Sequence, residues 1–140
     1  MLKISKLMLI SIVFLSCFSI YAQTHVITME TKDTGIPMFE PKYLLIQPGD
    51  TVVWRNLDSD VSHNIVAEPN SIPKGAYLFA SPLLETVGKE WSHQFSHVGT
   101  YHYHCHPHAA KGMIGTVVVG RESPLDKLRE ATSSEHIHHH

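Results

Sequence analysis

Residues 101–113 constrain this chain more than any other stretch: Tyr101-His102-Tyr103-His104-Cys105-His106-Pro107-His108-Ala109-Ala110-Lys111-Gly112-Met113 sets one cysteine among four of the twelve histidines. Within it, Cys105, His108 and Met113 follow the spacing Cys-x2-His-x4-Met and offer a thiolate, an imidazole and a thioether. Soft and borderline donors of this kind select copper over magnesium or calcium. Three donors on one short loop leave the set incomplete, so the fold must bring another imidazole to them from elsewhere. The best upstream donor is His63, in Val61-Ser62-His63-Asn64.

Two imidazoles and a thiolate with a weak thioether make the blue-copper electron-transfer arrangement. The cysteine count supports it. Residues 1–22 read as a secretory leader, with Lys3 and Lys6 ahead of an apolar run from Leu7 to Ile20 and cleavage after Ala22. That run is too short and too N-terminal for stable membrane insertion. Attachment as a lipoprotein through Cys17 is the alternative, against which Phe14 stands where an aliphatic residue belongs. Without the leader only Cys105 remains, and a lone thiol in an oxidising compartment is a liability unless a metal occupies it. Removing Lys3 and Lys6 from the 11 Lys plus Arg leaves 9 against 13 Asp plus Glu, a net charge of about −4. No basic surface remains for nucleic acid.

The chain from His25 onward reads as short strands broken by turns. His25–Met29 is a β-branched run, stopped by Thr34-Gly35-Ile36-Pro37. Met38–Gln47 reads as one extended segment, closed by Pro48-Gly49-Asp50. Thr51–Arg55 follows, then the polar loop Asn56–Asp60, then a short strand over Ser62–Val66 with His63 at its edge. Residues 68–88, with Pro69, Pro73 and Pro82, read as loops with room for one helical turn. Trp91, His93 and Phe95 alternate with Ser92, Gln94 and Ser96, which suits a half-buried strand, and Ile114–Val119 is the most strand-like run of all. Ser123-Pro124-Leu125-Asp126 carries the signals of a helix start, Ser as the cap and Pro at the first position, predicting a short C-terminal helix to about Thr132. His136–His140 form a tail to which no function is assigned.

About seven strands and almost no helix before residue 120 predict an all-β fold, a single β-sandwich over residues 23–122, with 123–140 as helix and His-rich tail. In a sandwich the loops gather at the ends, so His63 from a mid-chain loop can meet Cys105, His108 and Met113 from the loop before the last strand. Trp54 and Trp91 are expected in the core.

The motifs Met38-Phe39-Glu40-Pro41, Gln47-Pro48-Gly49-Asp50-Thr51-Val52, Ser62-His63-Asn64, Gly99-Thr100-Tyr101 and Cys105-x-Pro107-His108-x4-Met113-Ile114 occur in the order in which the cupredoxins carry them. The chain resembles the pseudoazurin and plastocyanin branch of that family over about residues 25–120. The resemblance implies an eight-stranded Greek-key sandwich holding one copper ion that cycles between Cu2+ and Cu+, and a periplasmic or secreted one-electron carrier rather than an enzyme. Carried over by position, His63, Cys105 and His108 are the equatorial ligands and Met113 the axial one. Asn64 braces the ligand loop, and Pro107 removes an amide donor from around the sulfur. Redox proteins would dock transiently near His108, among Pro37, Met38, Ala109 and Ala110, with Lys74 and Lys111 as candidate steering charges.

The histidines exceed what such a carrier needs. Strand alternation sends Tyr101, Tyr103 and Cys105 to one face and His102, His104 and His106 to the other. His-Cys-His resembles the multicopper oxidases, and a histidine before the cysteine resembles copper nitrite reductases. An oligomeric copper enzyme with a second metal at His104, His106 and His102, joined by His93 or His97 across an interface, is therefore an alternative to a monomeric carrier. Copper storage or delivery without redox is a further one. Glu68 is read as a surface carboxylate.

Overall fold

The computed structural model describes residues 21–120. The leader, apart from its last two residues, and the helix and tail expected after residue 122 lie outside the described residues.

Among the described residues, β-branched and aromatic runs between Pro, Gly and Asp turns fold as eight strands: β1 Thr24–Thr31, β2 Pro37–Glu40, β3 Tyr43–Ile46, β4 Thr51–Asn56, β5 Val66–Ala67, β6 Glu90–Gln94, β7 Gly99–His104 and β8 Ile114–Val119. They form two four-stranded sheets, ordered β2-β1-β4-β6 and β3-β8-β7-β5. β1 lies parallel to β4 and β3 parallel to β8. The remaining pairs are antiparallel. The sandwich expected from the sequence is thus present.

Alternation along the strands builds the core between the sheets. β4 turns Val52, Trp54 and Asn56 inward, β7 turns Tyr101 and Tyr103, and β8 turns Gly115, Val117 and Val119. Trp54 sits at the centre, its ring 5.4 Å from that of Tyr103 and 5.7 Å from that of Trp91. Both tryptophans are core residues, Trp91 packing against the cluster from its edge.

Three readings are corrected. Met38–Gln47 is not one extended segment: β2 pairs with β1 in one sheet and β3 with β8 in the other. Glu40, Pro41 and Lys42 turn the corner, and proline has no N–H for a ladder. Ser62–Val66 is not a strand from its start: His63 pairs with Leu84 in an isolated bridge and the Ile65 N–H donates to Ser81 Oγ, so only Val66–Ala67 reaches the sheet. Residues 68–88 contain no helical turn, and they supply Phe79 and Leu84 to the core.

Candidate metal centre

The loop that presents the thiol is built by its own backbone. β7 and β8 run antiparallel up to the pair His104–Ile114, and beyond it the Cys105 N–H donates to the Met113 carbonyl at 3.0 Å. Cys105 and Met113 therefore face each other across the neck of the loop. Between them His106–Lys111 wind into a 3-10 turn with Pro107 near its start, where a missing N–H costs least. Gly112 closes it at φ 79°, a conformation strained for any residue with a Cβ. His108 binds back at both ends, its N–H to the Cys105 carbonyl at 3.2 Å and its own carbonyl accepting the Met113 N–H at 3.3 Å.

His63 arrives from the other side of the sandwich end. Asn56, fully buried at the end of β4, shapes the loop that delivers it. Its side-chain amide donates to the carbonyls of Val61 (3.0 Å) and Leu84 (2.8 Å), and its Oδ1 accepts the Asp58 N–H (2.8 Å). His63 then exchanges backbone hydrogen bonds with Leu84 at 3.3 and 2.8 Å. Asn64 reaches across to the thiol loop, Oδ1 accepting the His106 N–H at 2.7 Å.

The result is a convergence of three side chains. Cys105 Sγ lies 3.4 Å from His108 Nδ1 and 3.8 Å from His63 Nδ1. The two imidazole rings are 5.0 Å apart, centre to centre. Among the described residues this is the one group of three His, Cys, Asp or Glu donors whose ligating atoms lie within 4.8 Å of one another. Cys105 and His63 are 0% exposed and Met113 1%, whereas His108 is half-buried.

Burial pushes the Cys105 thiol above its ordinary value, and the backbone N–H groups of Asn64 and His108 pull it partly back. Burial also pushes His108 down, helped by its neighbours His63 and Lys111 and opposed by Asp58. The shift favours the neutral ring, the form that can donate a lone pair. Thiol and imidazoles around one point fit a copper ion, and the exclusion of water from three of the four side chains suits a closed coordination set. Binding would release the thiol proton.

Among the described residues the other histidines do not gather in the same way. His102 is exposed and its Nδ1 lies 3.0 Å from Thr116 Oγ1. His104 Nδ1 lies in close contact with Glu68 Oε1 without the alignment of a hydrogen bond, and the exposed His106 ring is 6.1 Å from that of His104. Glu68 is thus more than loose surface. The inward–outward alternation along β7 holds, with Tyr101 and Tyr103 buried and His102 exposed. Of the residues expected around His108, Ala109 and Ala110 are exposed neighbours on the same turn and Met38 is exposed on β2, but Pro37 is buried. Lys74 and Lys111 are both exposed. Two residues escaped the sequence reading: Asn56 and Asp58, both in a stretch that reads only as a polar loop. The one signal available was Asp58 standing five residues ahead of His63.

A family model described as copper binding proteins, plastocyanin/azurin family, matches residues 26–120. A plastocyanin from Nostoc punctiforme is 34% identical over 130 residues, covering 84% of this chain and 92% of that protein. A putative pseudoazurin from Rhizobium leguminosarum bv. viciae is 33% identical over 120 residues, covering 85% and 75%. Among solved structures, pseudoazurin from Methylobacterium extorquens AM1 superposes with a TM-score of 0.58 at 30% identity, covering 72% of this chain and 78% of that one.

Proposed function

The chain belongs to the plastocyanin/azurin family of copper-binding proteins, and on that premise we propose that it carries single electrons between redox proteins. In this reading His63, Cys105 and His108 hold one copper ion, with Met113 as a weak fourth ligand. The observation that carries it is the convergence of both Nδ1 atoms on one buried sulfur, at 3.4 and 3.8 Å. When bound there, copper supplies a centre that accepts and returns one electron between its +2 and +1 states.

The protein's own part is to hold the site and to expose one edge of it. The hydrogen bonds Cys105 to Met113 and His106 to Asn64 tie the loop to itself and to the His63 segment, so the backbone itself helps to hold the donors together. His63, Cys105 and Met113 keep water out. His108 alone among the four reaches solvent, and a partner protein would approach there, over Ala109 and Ala110. The exposed Lys111 on the same turn favours an acidic partner face, with Lys74 a second candidate. Export with removal of residues 1–22, to the periplasm or the outside, completes the reading. Among the described residues no helix is long and apolar enough to cross a membrane.

The test is to load the full chain with copper(II), count metal per chain and record optical and paramagnetic resonance spectra. One copper per chain, an intense visible thiolate band lost in Cys105→Ser, and reversible reduction are expected. A band that persists in Cys105→Ser would sink the assignment. A second copper signal abolished by His104→Ala, together with an oligomeric mass, would instead favour a copper enzyme. Copper held only in its reduced state would favour storage or delivery.

A further inference from the structure

The loop ahead of His63 contains a carboxylate that no ligand set requires. Asp58 Oδ2 lies 2.7 Å from His63 Nε2. The same carboxylate accepts the Thr31 N–H at 3.0 Å on both oxygens and the Thr31 hydroxyl at 2.8 Å on Oδ2. The His63 side chain is 0% exposed and that of Asp58 12%, so little water competes for this contact. Thr31 ends β1 and pairs with Pro37 of β2. The carboxylate is therefore anchored to a sheet, not to the loop it belongs to.

The two nitrogens of His63 consequently face different chemistry. An ionised carboxylate only accepts, so a neutral His63 carries its proton on Nε2 and turns the Nδ1 lone pair toward Cys105 Sγ, 3.8 Å away. A carboxylate on the far nitrogen of a ligating histidine fixes its tautomer and orientation and raises its basicity. We propose that Asp58 is the positioning residue of the metal centre: anchored by Thr31, it holds the His63 ring with Nδ1 toward the sulfur, and its charge favours the cupric over the cuprous state. This role rests on the reading of His63 as a copper ligand.

Asparagine at position 58 makes a discriminating probe. It has one acceptor oxygen where the carboxylate has two. With that oxygen toward His63, its amide nitrogen would confront the Thr31 N–H, donor against donor. With the oxygen toward Thr31, its NH2 donates to His63 Nε2 and drives the proton to Nδ1, the nitrogen that faces the sulfur.

The experiment is to record imidazole nitrogen spectra of the metal-free full chain, then copper affinity by chelator competition and reduction potential, for wild type, Asp58→Asn and Thr31→Val. Expected are Nε2–H His63 in wild type and a shift toward Nδ1–H in Asp58→Asn. That variant should also lose about 10- to 100-fold in copper(II) affinity and rise in potential. Thr31→Val, which keeps the carboxylate and loses one hydroxyl, should melt lower yet retain the wild-type tautomer. Unchanged tautomer, affinity and potential in a folded Asp58→Asn would overturn the role. So would a wild-type His63 protonated at Nδ1, which decides the matter even if Asp58→Asn does not fold. A wild-type protein with Nε2–H His63 but no thiolate band on copper loading would overturn the electron-carrier reading and leave the ring-positioning result standing.

Discussion

Gly115 and Tyr103 show how little slack single residues leave beside the site. They face each other across β7 and β8, and a Cβ on Gly115 would fall 2.2 Å from Tyr103 Cζ. The ring cannot step aside, because Phe39 packs edge-on at 4.7 Å and Trp54 at 5.4 Å. Gly115→Ala should therefore destabilise the fold by about 1–3 kcal/mol, the usual cost of overpacking, read as a lower denaturation midpoint at unchanged slope. The Tyr103 hydroxyl is a different case. Burial pushes the phenol far above its ordinary range with only the Trp54 indole opposing, yet neither Tyr103 Oη nor Trp54 Nε1 has a partner in hydrogen-bond geometry. Tyr103→Phe removes an orphaned polar group and should lie within about 1 kcal/mol of wild type, on either side. A loss of several kcal/mol would mean that the hydroxyl is satisfied after all.

At the scale of elements, the turn before β4 depends on one carboxylate. Asp50 is 3% exposed and accepts the Gln23 N–H at 2.8 Å, His25 Nε2 at 2.9 Å and the Gln47 N–H at 3.0 Å, pinning the start of β1 to the turn. Burial alone would raise its pKa, but those hydrogen bonds, with Gln23 and His25 foremost, hold it below the ordinary 3.8. A group depressed in the folded state contributes stability that is full above its unfolded value and is lost as pH falls through the lowered folded one. Asp50→Asn should therefore melt lower at pH 7, by about 1–3 kcal/mol, and the gap should close as both proteins are titrated below pH 3.8. A gap that stays constant into acid would show that the carboxylate's charge contributes nothing. The same scale explains what was legible in the sequence. β6 announces itself by alternation, β1, β4 and β8 by their β-branched runs, and Cys105, His108 and Met113 by spacing. The corner was hidden because Phe39 on one side and Ile46 on the other are both inward and apolar, so the hydrophobic pattern runs through it and Pro41 is its one mark. Phe79, Ser81 and Leu84 were hidden because an irregular backbone has no period to betray which side chains it buries. Asp58 and Asn56 were hidden because their partners, Thr31 and Leu84, are distant in sequence.

Across the whole molecule, the candidate ligands join parts that the chain keeps far apart. His63 comes from the loop that follows β4 in one sheet, and Cys105, His108 and Met113 come from the loop between β7 and β8 in the other. A metal bound to all four would bridge the two sheets at one end of the sandwich. The unfolded chain offers the same donors without their arrangement, so binding free energy adds to folding free energy. At a free copper concentration 100 times the dissociation constant the gain is about 2.7 kcal/mol, and a domain of this size shifts by about 4–8 °C per kcal/mol. Copper should therefore raise the melting temperature of the wild-type chain by roughly 10–20 °C, a readout independent of colour or electron transfer. Cys105→Ser removes the donor at the centre of the convergence and should abolish most of that shift, whereas His104→Ala, on the outward face of β7, should leave it intact. If the shift instead survived Cys105→Ser and vanished in His104→Ala, the stabilising metal would sit on the outward histidines, and the bridge between the sheets would not exist.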